Sequence, residues 1–475
     1  MRYLFSLTNF VVFQKFMTKS VFSRFLWSLV LSLIISSAAL AQEKDPKPKL
    51  NSDSKQAREY SLEILDEMKE ILEEHYYDPK FRGIDLDARI KAAKDRVKTL
   101  QYNWQMYRVL VQVLMEFNDS HTGMILPPRS DFFQYGFGTQ MIGDECLVIS
   151  VNKESDAARR GLAVGDQILL LGKFTPTRRD LWKMNYLLFK LEPSKTLGLK
   201  IRKPDGSEKS LTVTAKTMTR KEAIAERKAK KERNKDLDKD EPFKCREISK
   251  EVMVCKLYSF VVEKDVIDKM MKQASTYPKF ILDLRGNGGG YVFTEEYLLS
   301  HFFDRTVKIA DMVSKGKTEK RFTKVMGKSQ YKGEMIVLVD SNSASAAEIT
   351  ARTLQIEKRA VIYGDISSGS VMTSIMLPFE SIVSALADYA IIRTGMSVTI
   401  ADVIMSDGSR LENTGVLPDG VLLPTPIGLA HGTDQVLAYA AVKFGAVLTP
   451  EKAGEMYFLR RKTDTDIGNE VEDDQ

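Results

Sequence analysis

Cysteine is scarce in this chain of 475 residues: Cys146, Cys245 and Cys255 are the whole complement. Three thiols cannot staple a small disulfide scaffold, and their spacing has no metal-ligand pattern, so no metal site is expected. Cys245 and Cys255 flank a hairpin expected near Lys250, where a cross-strand disulfide can form in an oxidising compartment. The default is three ordinary thiols. A Gly-Lys-Ser/Thr ending and dinucleotide glycine spacing are also missing, which sets nucleotide binding aside. Excess charge of one sign is lacking as well. The formal +6 from 70 basic and 64 acidic residues falls to about +2 once residues 1–41 are set aside, so nucleic acid is not an implied partner. Residues 1–41 themselves lack any acidic residue, and their apolar run, 25–35, is too short for an ordinary membrane span.

That first segment holds Arg2, Lys15, Lys19 and Arg24, then the apolar run, then Ala39-Leu40-Ala41. This is the layout of a secretory signal peptide cleaved after Ala41, with Met17 as an alternative start. A periplasmic or secreted protein is expected, with no stable membrane insertion after cleavage. The remaining length and a hydrophobic content of 43% suit a multidomain globular protein.

Residues 42–56, polar with Pro46 and Pro48, read as a disordered leader. Leu65, Met68 and Leu72, and then Met106, Val109, Leu110, Val113, Leu114 and Phe117, recur at helical spacing, so residues 57–132 are expected to form a helical subdomain. Its end carries the polar loop Asp119-Ser120-His121-Thr122-Gly123. From 133 to 218 the pattern changes to short strands, expected at 146–151, 167–171, 197–201 and 211–213. The mixed-charge run at 219–243 reads as a solvated helix or a flexible connector. From 244 to 445, strands at 252–258, 280–284 and 335–339 alternate with helical segments, an α/β arrangement, and 446–475 ends in an acidic tail read as disordered.

Two places in the α/β region could carry chemistry. The strand Ile281–Leu284 runs into Arg285-Gly286-Asn287-Gly288-Gly289-Gly290, whose backbone N–H groups can approach an anion or oxyanion without side-chain hindrance. The segment Asp340-Ser341-Asn342-Ser343-Ala344-Ser345-Ala346-Ala347-Glu348 joins an apolar strand to a helix expected over 348–358. A serine there can be a nucleophile at a helix N-terminus or an ordinary N-cap.

Residues 133–218 resemble a PDZ domain at Tyr135-Gly136-Phe137-Gly138, at Ala157–Leu162 and at Val164-Gly165-Asp166-Gln167-Ile168-Leu169. That resemblance implies binding of an extended peptide, its carboxylate held by backbone N–H groups near Gly136, Phe137 and Gly138. Asp283–Gly290, Ser343–Ile349 and the PDZ-like module follow the order found in tail-specific or C-terminal processing peptidases. The resemblance covers nearly all of the chain after residue 41. It implies a multidomain α+β fold with a ClpP/crotonase-like α/β core and a cofactor-free serine peptidase acting on protein or peptide substrates. Ser345 is then the nucleophile, with an oxyanion hole from Ala346 and Gly289, Gly288 being the near alternative.

Many members pair the serine with a lysine in a Gly-Lys-Gly turn, but here Gly364-Asp365-Ile366-Ser367-Ser368-Gly369-Ser370 puts Ser370 in that place, and a hydroxyl cannot act as that base. Ser120-His121 instead resembles the tricorn-like branch, whose tetrad is serine, histidine, a second serine and a glutamate. By that resemblance His121 is the general base, Ser120 an orienting hydroxyl, and Glu412, ahead of Gly415-Val416-Leu417-Pro418-Asp419, the carboxylate. His75, His301 and His431 lack such a context and read as surface or packing residues. The second reading is a binding protein that keeps the fold and has lost turnover.

Overall fold

Leu65, Met68 and Leu72 lie on the buried face of helix α1 (Ser54–His75) in the computed structural model, which describes residues 54–127, 129–233, 241–380 and 394–456. The expected signal peptide, nearly all of the leader, part of the charged connector and the end of the acidic tail lie outside the described residues. Helices α2 (Leu86–Thr99) and α3 (Asn103–Met115) pack on α1, with Ile90, Val97, Met106 and Leu110 sharing its core. Asp85 starts α2 by accepting the Ala88 N–H at 3.0 Å, an N-cap that satisfies a donor the helix itself leaves open. Met396 and Val398, far along the chain, close the same core.

Strand β1 (Gly123–Ile125) comes next, and after it β2 (Asp131–Gln134) opens a module inserted into the chain. The module is a five-stranded antiparallel sheet whose strands lie in sequence order: β3 (Phe137–Ile142), β4 (Glu145–Val151), β5 (Gln167–Leu171), β6 (Thr196–Arg202) and β7 (Glu208–Thr214). Then β8 (Lys216–Thr219) returns to pair with β2, and α4 (Arg220–Arg233) follows. The mixed-charge run is thus helical where it is described.

The remaining chain forms two sheets. It runs through β9 (Phe243–Ser249), β10 (Val252–Leu257), α5 (Lys264–Ala274), β11 (Lys279–Asp283), α6 (Val292–Ser300), β12 (Lys308–Ser314) and β13 (Lys317–Phe322). It continues through β14 (Glu334–Val339), α7 (Ala346–Ile356), β15 (Val361–Gly364), β16 (Met372–Pro378), β17 (Gly395–Met405), β18 (Gly420–Val421) and α8 (Gln435–Lys443). The first sheet has the order β18-β15-β14-β11-β10-β9, parallel except for β9 at its edge. Its central strands are apolar on both faces because both are covered. Cys255, Leu282 and Val337 pack with α5, α6 and α7, whereas Val254, Ile281 and Leu338 pack with Leu437 and Ala440 of α8.

The second sheet has the order β1-β17-β12-β13, with β16 also on β17. The antiparallel register Gly123↔Ser397 fastens β1, from ahead of the module, to β17 from beyond it. Cys245 and Cys255 are register partners on β9 and β10 and are joined by a disulfide, while Cys146 is a buried free thiol. Among the described residues no helix is long and apolar enough to cross a membrane.

Candidate active site

Strand β14 ends at Val339, and the five residues before Ser345 are stitched to the glycine-rich turn that follows β11. Asp340 Oδ1 accepts the N–H groups of Gly286 at 2.8 Å and Asn342 at 3.0 Å. Ser343 Oγ donates to Leu284 O at 2.8 Å, and Ala344 N–H to Asn287 O at 2.9 Å. Ser345 therefore arrives at the start of α7 with no slack, at φ 54° and ψ −119°. A positive φ at a residue with a Cβ is strained and survives only where its surroundings over-determine it. Here Ser345 N–H is held by Ser370 O and by Glu348 Oε2, each at 3.0 Å.

The glycine-rich turn is held from beneath by a buried charge cluster. Arg285 donates to Asp283 Oδ1 at 3.0 Å and Oδ2 at 2.7 Å, and to Asp434 Oδ1 at 2.9 Å and Oδ2 at 2.8 Å. Lys256 Nζ adds a bond to Arg285 O at 2.6 Å. Burial pushes the Asp283 carboxyl up, but Arg285 and then Lys256 more than offset it and hold the group below its ordinary range.

His121 sits between Asp119 and β1, and the pairing of β1 with β17 brings it to the second sheet. Asp119 is buried and sets the loop: it accepts from Tyr76 Oη at 2.9 Å, Thr399 Oγ1 at 2.7 Å and His121 N–H at 3.0 Å. Ser120 Oγ donates to Glu412 Oε2 at 2.9 Å and lies 2.8 Å from His121 Nδ1. Because that hydroxyl proton goes to the carboxylate, its oxygen is left to accept from Nδ1–H. The neutral ring then carries its proton on Nδ1 and its lone pair on Nε2, the tautomer a general base needs. Glu412 is fixed in turn by the N–H groups of Ser120 at 3.0 Å and Val371 at 2.9 Å. Burial lowers the His121 pKa from 6.5, and the Glu412 and Asp119 carboxylates oppose that shift.

His121, Ser345 and Ala346 line one cavity of about 290 Å³. Ser345 and His121 are not hydrogen-bonded to each other. Gly289 differs from the sequence expectation. Its N–H is engaged by Asn287 Oδ1 at 2.9 Å, and its α-carbon is packed so closely on Ser345 that a Cβ would stand 2.7 Å from that residue's Cβ. The N–H of Ala346, in the first turn of α7, has no carbonyl partner, and neither does that of Gly290, which lines the cavity. Gly136, Phe137 and Gly138, expected to hold a peptide carboxylate through backbone N–H groups, stand at the start of β3. All three are buried, Phe137 lies in the module's core, and a Cβ on Gly136 would meet that of Ser155 at 2.3 Å. Among the described residues no group of His, Cys, Asp or Glu could hold a metal ion.

Sequence reasoning missed Glu348. Fully buried beneath the turn, it accepts from Ser367 Oγ at 2.6 Å, Gly369 N–H at 2.7 Å, Ser370 N–H at 2.9 Å and Ser345 N–H at 3.0 Å. Burial outweighs these bonds and pushes its pKa up to about 7. The Ser-x-x-Glu spacing of a capping box was the available signal.

Residues 251–422 match peptidase family S41. The chain is 24% identical over 316 residues to carboxy-terminal processing protease CtpB of Bacillus subtilis (strain 168), covering 66% of this chain and 60% of that protein. It is 28% identical over 284 residues to the tail-specific protease of Haemophilus influenzae, covering 55% of this chain and 38% of that protein. The chain thus spans less than two thirds of the length of these relatives. The crystal structure of mature CPAF superposes with a TM-score of 0.61 at 15% identity, over 85% of this chain and 96% of that one, which shows a shared fold.

Proposed function

We propose, from the match of residues 251–422 to peptidase family S41, that this chain is a secreted or periplasmic serine endopeptidase that cleaves protein or peptide substrates through an acyl-enzyme. One observation carries the reading: the Ser120 hydroxyl bridges Glu412, 292 residues further along the chain, to Nδ1 of His121, which lines the cavity that holds Ser345. Ser345 Oγ attacks the scissile carbonyl as His121 Nε2 takes its proton. The imidazolium, stabilised through Ser120 by Glu412, gives the proton to the leaving amine, and water then releases the acid product. The tetrahedral oxyanion is assigned to the Ala346 and Gly290 N–H groups rather than to Gly289. The lysine of other members is not needed, because Ser370 here supports the nucleophile's backbone while histidine supplies the base.

The β3–β7 sheet is assigned as a PDZ-like peptide-binding module. Gln140 Nε2 of β3 donates to Asp340 Oδ2 at 2.9 Å, and Arg178 to Asp365 Oδ2 at 2.8 Å, so the module bears directly on the turns that frame Ser345. The decisive experiment is covalent labelling with a fluorophosphonate. Wild-type protein should be labelled at Ser345, and both Ser345→Ala and His121→Ala should lose the label. An unlabelled wild type that also leaves peptides intact points instead to a binding protein that has lost turnover.

A pH profile offers an independent check. The base works only as neutral imidazole, so kcat/KM should fall as the pH drops through the His121 pKa, with a midpoint below 6.5. Glu348, near 7, and Glu295, raised well above the ordinary carboxyl value by burial, are also buried and shifted upward, so the limb belongs to His121 only if it survives both Glu348→Gln and Glu295→Gln. A rate that stays flat far into acid removes histidine as base.

A further inference from the structure

The cavity beside Ser345 has a feature that the peptidase chemistry does not use. One part of its wall is apolar, built by Ile309, Met312, Ile349, Met372 and Val403, and beside that part Glu295, Glu296 and Arg321 also line it. Glu295 belongs to the first half of α6, the helix entered directly from the glycine-rich turn, and is 2% exposed. Its carboxyl group makes no hydrogen bond to any described residue. The nearby guanidinium of Arg321 is bonded to Glu296 instead. A buried carboxyl without a hydrogen-bond donor is costly, and native proteins seldom keep one without a reason. Burial, reinforced by the Glu296 charge and only partly opposed by Arg321, drives this group strongly toward its neutral form while the cavity is empty.

We propose that Glu295 determines specificity in the pocket that receives the substrate side chain on the amino side of the scissile bond, and that it selects a basic side chain, lysine or arginine. The inference rests on the peptidase reading above. The argument is one of shape and charge together. An apolar sleeve accommodates the methylene stem of such a side chain, and an acid with no other donor waits for a cationic tip. Binding supplies the counter-charge that lets the buried carboxyl ionise, so the pair forms where water is excluded and discrimination is greatest. An acidic side chain would meet Glu295 and Glu296, with the one guanidinium of this wall, Arg321, already bonded to Glu296. A purely apolar one would fill the sleeve and leave the carboxyl unpaired.

The test uses the full-length protein and fluorogenic peptides identical except for lysine, arginine, norleucine or glutamate at that one position. The wild type should cleave the lysine and arginine peptides with kcat/KM on the order of 100-fold above norleucine. In Glu295→Gln, nearly isosteric and uncharged, that ratio should fall to about tenfold or less, chiefly through loss of the basic substrates. Where turnover is slow, peptide aldehydes ending in lysine or norleucine can be compared for protection of Ser345 from the fluorophosphonate. The lysine aldehyde should protect at lower concentration, and the advantage should shrink in the variant. Labelled protein that prefers norleucine, or a ratio that Glu295→Gln leaves untouched, overturns the specificity assignment while the peptidase reading stands. Protein that neither labels nor cleaves any peptide overturns both.

Discussion

Replacing Ser345 by alanine should lower kcat/KM by on the order of 10⁵–10⁶-fold with no loss of fold. His121→Ala should do nearly the same. The double variant should be scarcely worse than either, because in the proposed mechanism nucleophile and base act as one unit and the first deletion already removes what the second would remove. Ser120→Ala and Glu412→Gln act a step back, through the imidazole, and should cost less, roughly 10²–10⁴-fold. The three serines of the turn are told apart by their bonds. Ser341 Oγ is spent on Met141 O, and Ser343 Oγ lies buried between Leu284 O and Asp340 N–H. Ser345 is the one that lines the cavity. Steady-state rates on a peptide that the wild type cleaves, with a melting curve for each variant, decide the matter. A folded Ser345→Ala protein keeping a tenth of the activity would remove that residue from its role.

The largest effect on stability is expected at Arg285. Arg285→Met leaves Asp283 and Asp434 facing each other in the interior with the guanidinium gone, and breaking a buried ion cluster in this way costs roughly 3–5 kcal/mol. A fall in Tm of roughly 4–6 °C corresponds to that loss, because an unfolding entropy of about 2 cal/mol/K per residue makes the shift per kcal/mol small in a fold of this size. The pH dependence carries the signature. In the wild type the Asp283 pKa is depressed, so its share of stability is present above the unfolded value near 3.8 and disappears as the pH falls through the folded one. Without Arg285, burial weighs more heavily on Asp283 and raises its carboxyl pKa, so the variant's deficit should be greatest near neutrality and narrow on acidification. Thermal melts at pH 7 and 5 measure both. A shift under 2 °C would mean that the cluster contributes little.

Residues whose environment is set by near neighbours were legible in the sequence. Leu65, Met68 and Leu72 announce their helix by spacing, the apolar run before Asp340 announces β14, and Cys245 and Cys255 sit symmetrically about a hairpin. His121, Ser120 and Glu412 could be named together only through a family resemblance, since nothing local joins residues 292 apart. What stayed hidden was non-local and polar. Glu348 looks like any acidic residue in a first helical turn until three donors from residues 367–370 are seen to join that of its own cap, Ser345, on its carboxylate. Asp434 carries no sign that it grips Arg285, 149 positions earlier. The engagement of Gly289 by Asn287 is a choice among adjacent N–H groups that glycine content does not reveal. Periodicity reports which face is apolar, and it is silent on where a buried hydrogen bond goes.

The antiparallel pairing of β1 with β17 also bears on timing. The histidine loop emerges early in synthesis, the serine turn only after the inserted module, and the strand and carboxylate that hold the loop later still, from residue 395 and at Glu412. A growing chain therefore carries the proposed proton acceptor and the proposed nucleophile as separate, unassembled parts until residue 412 has been made. On the proposed reading, a nascent chain shorter than this has no assembled site with which to digest itself or its neighbours.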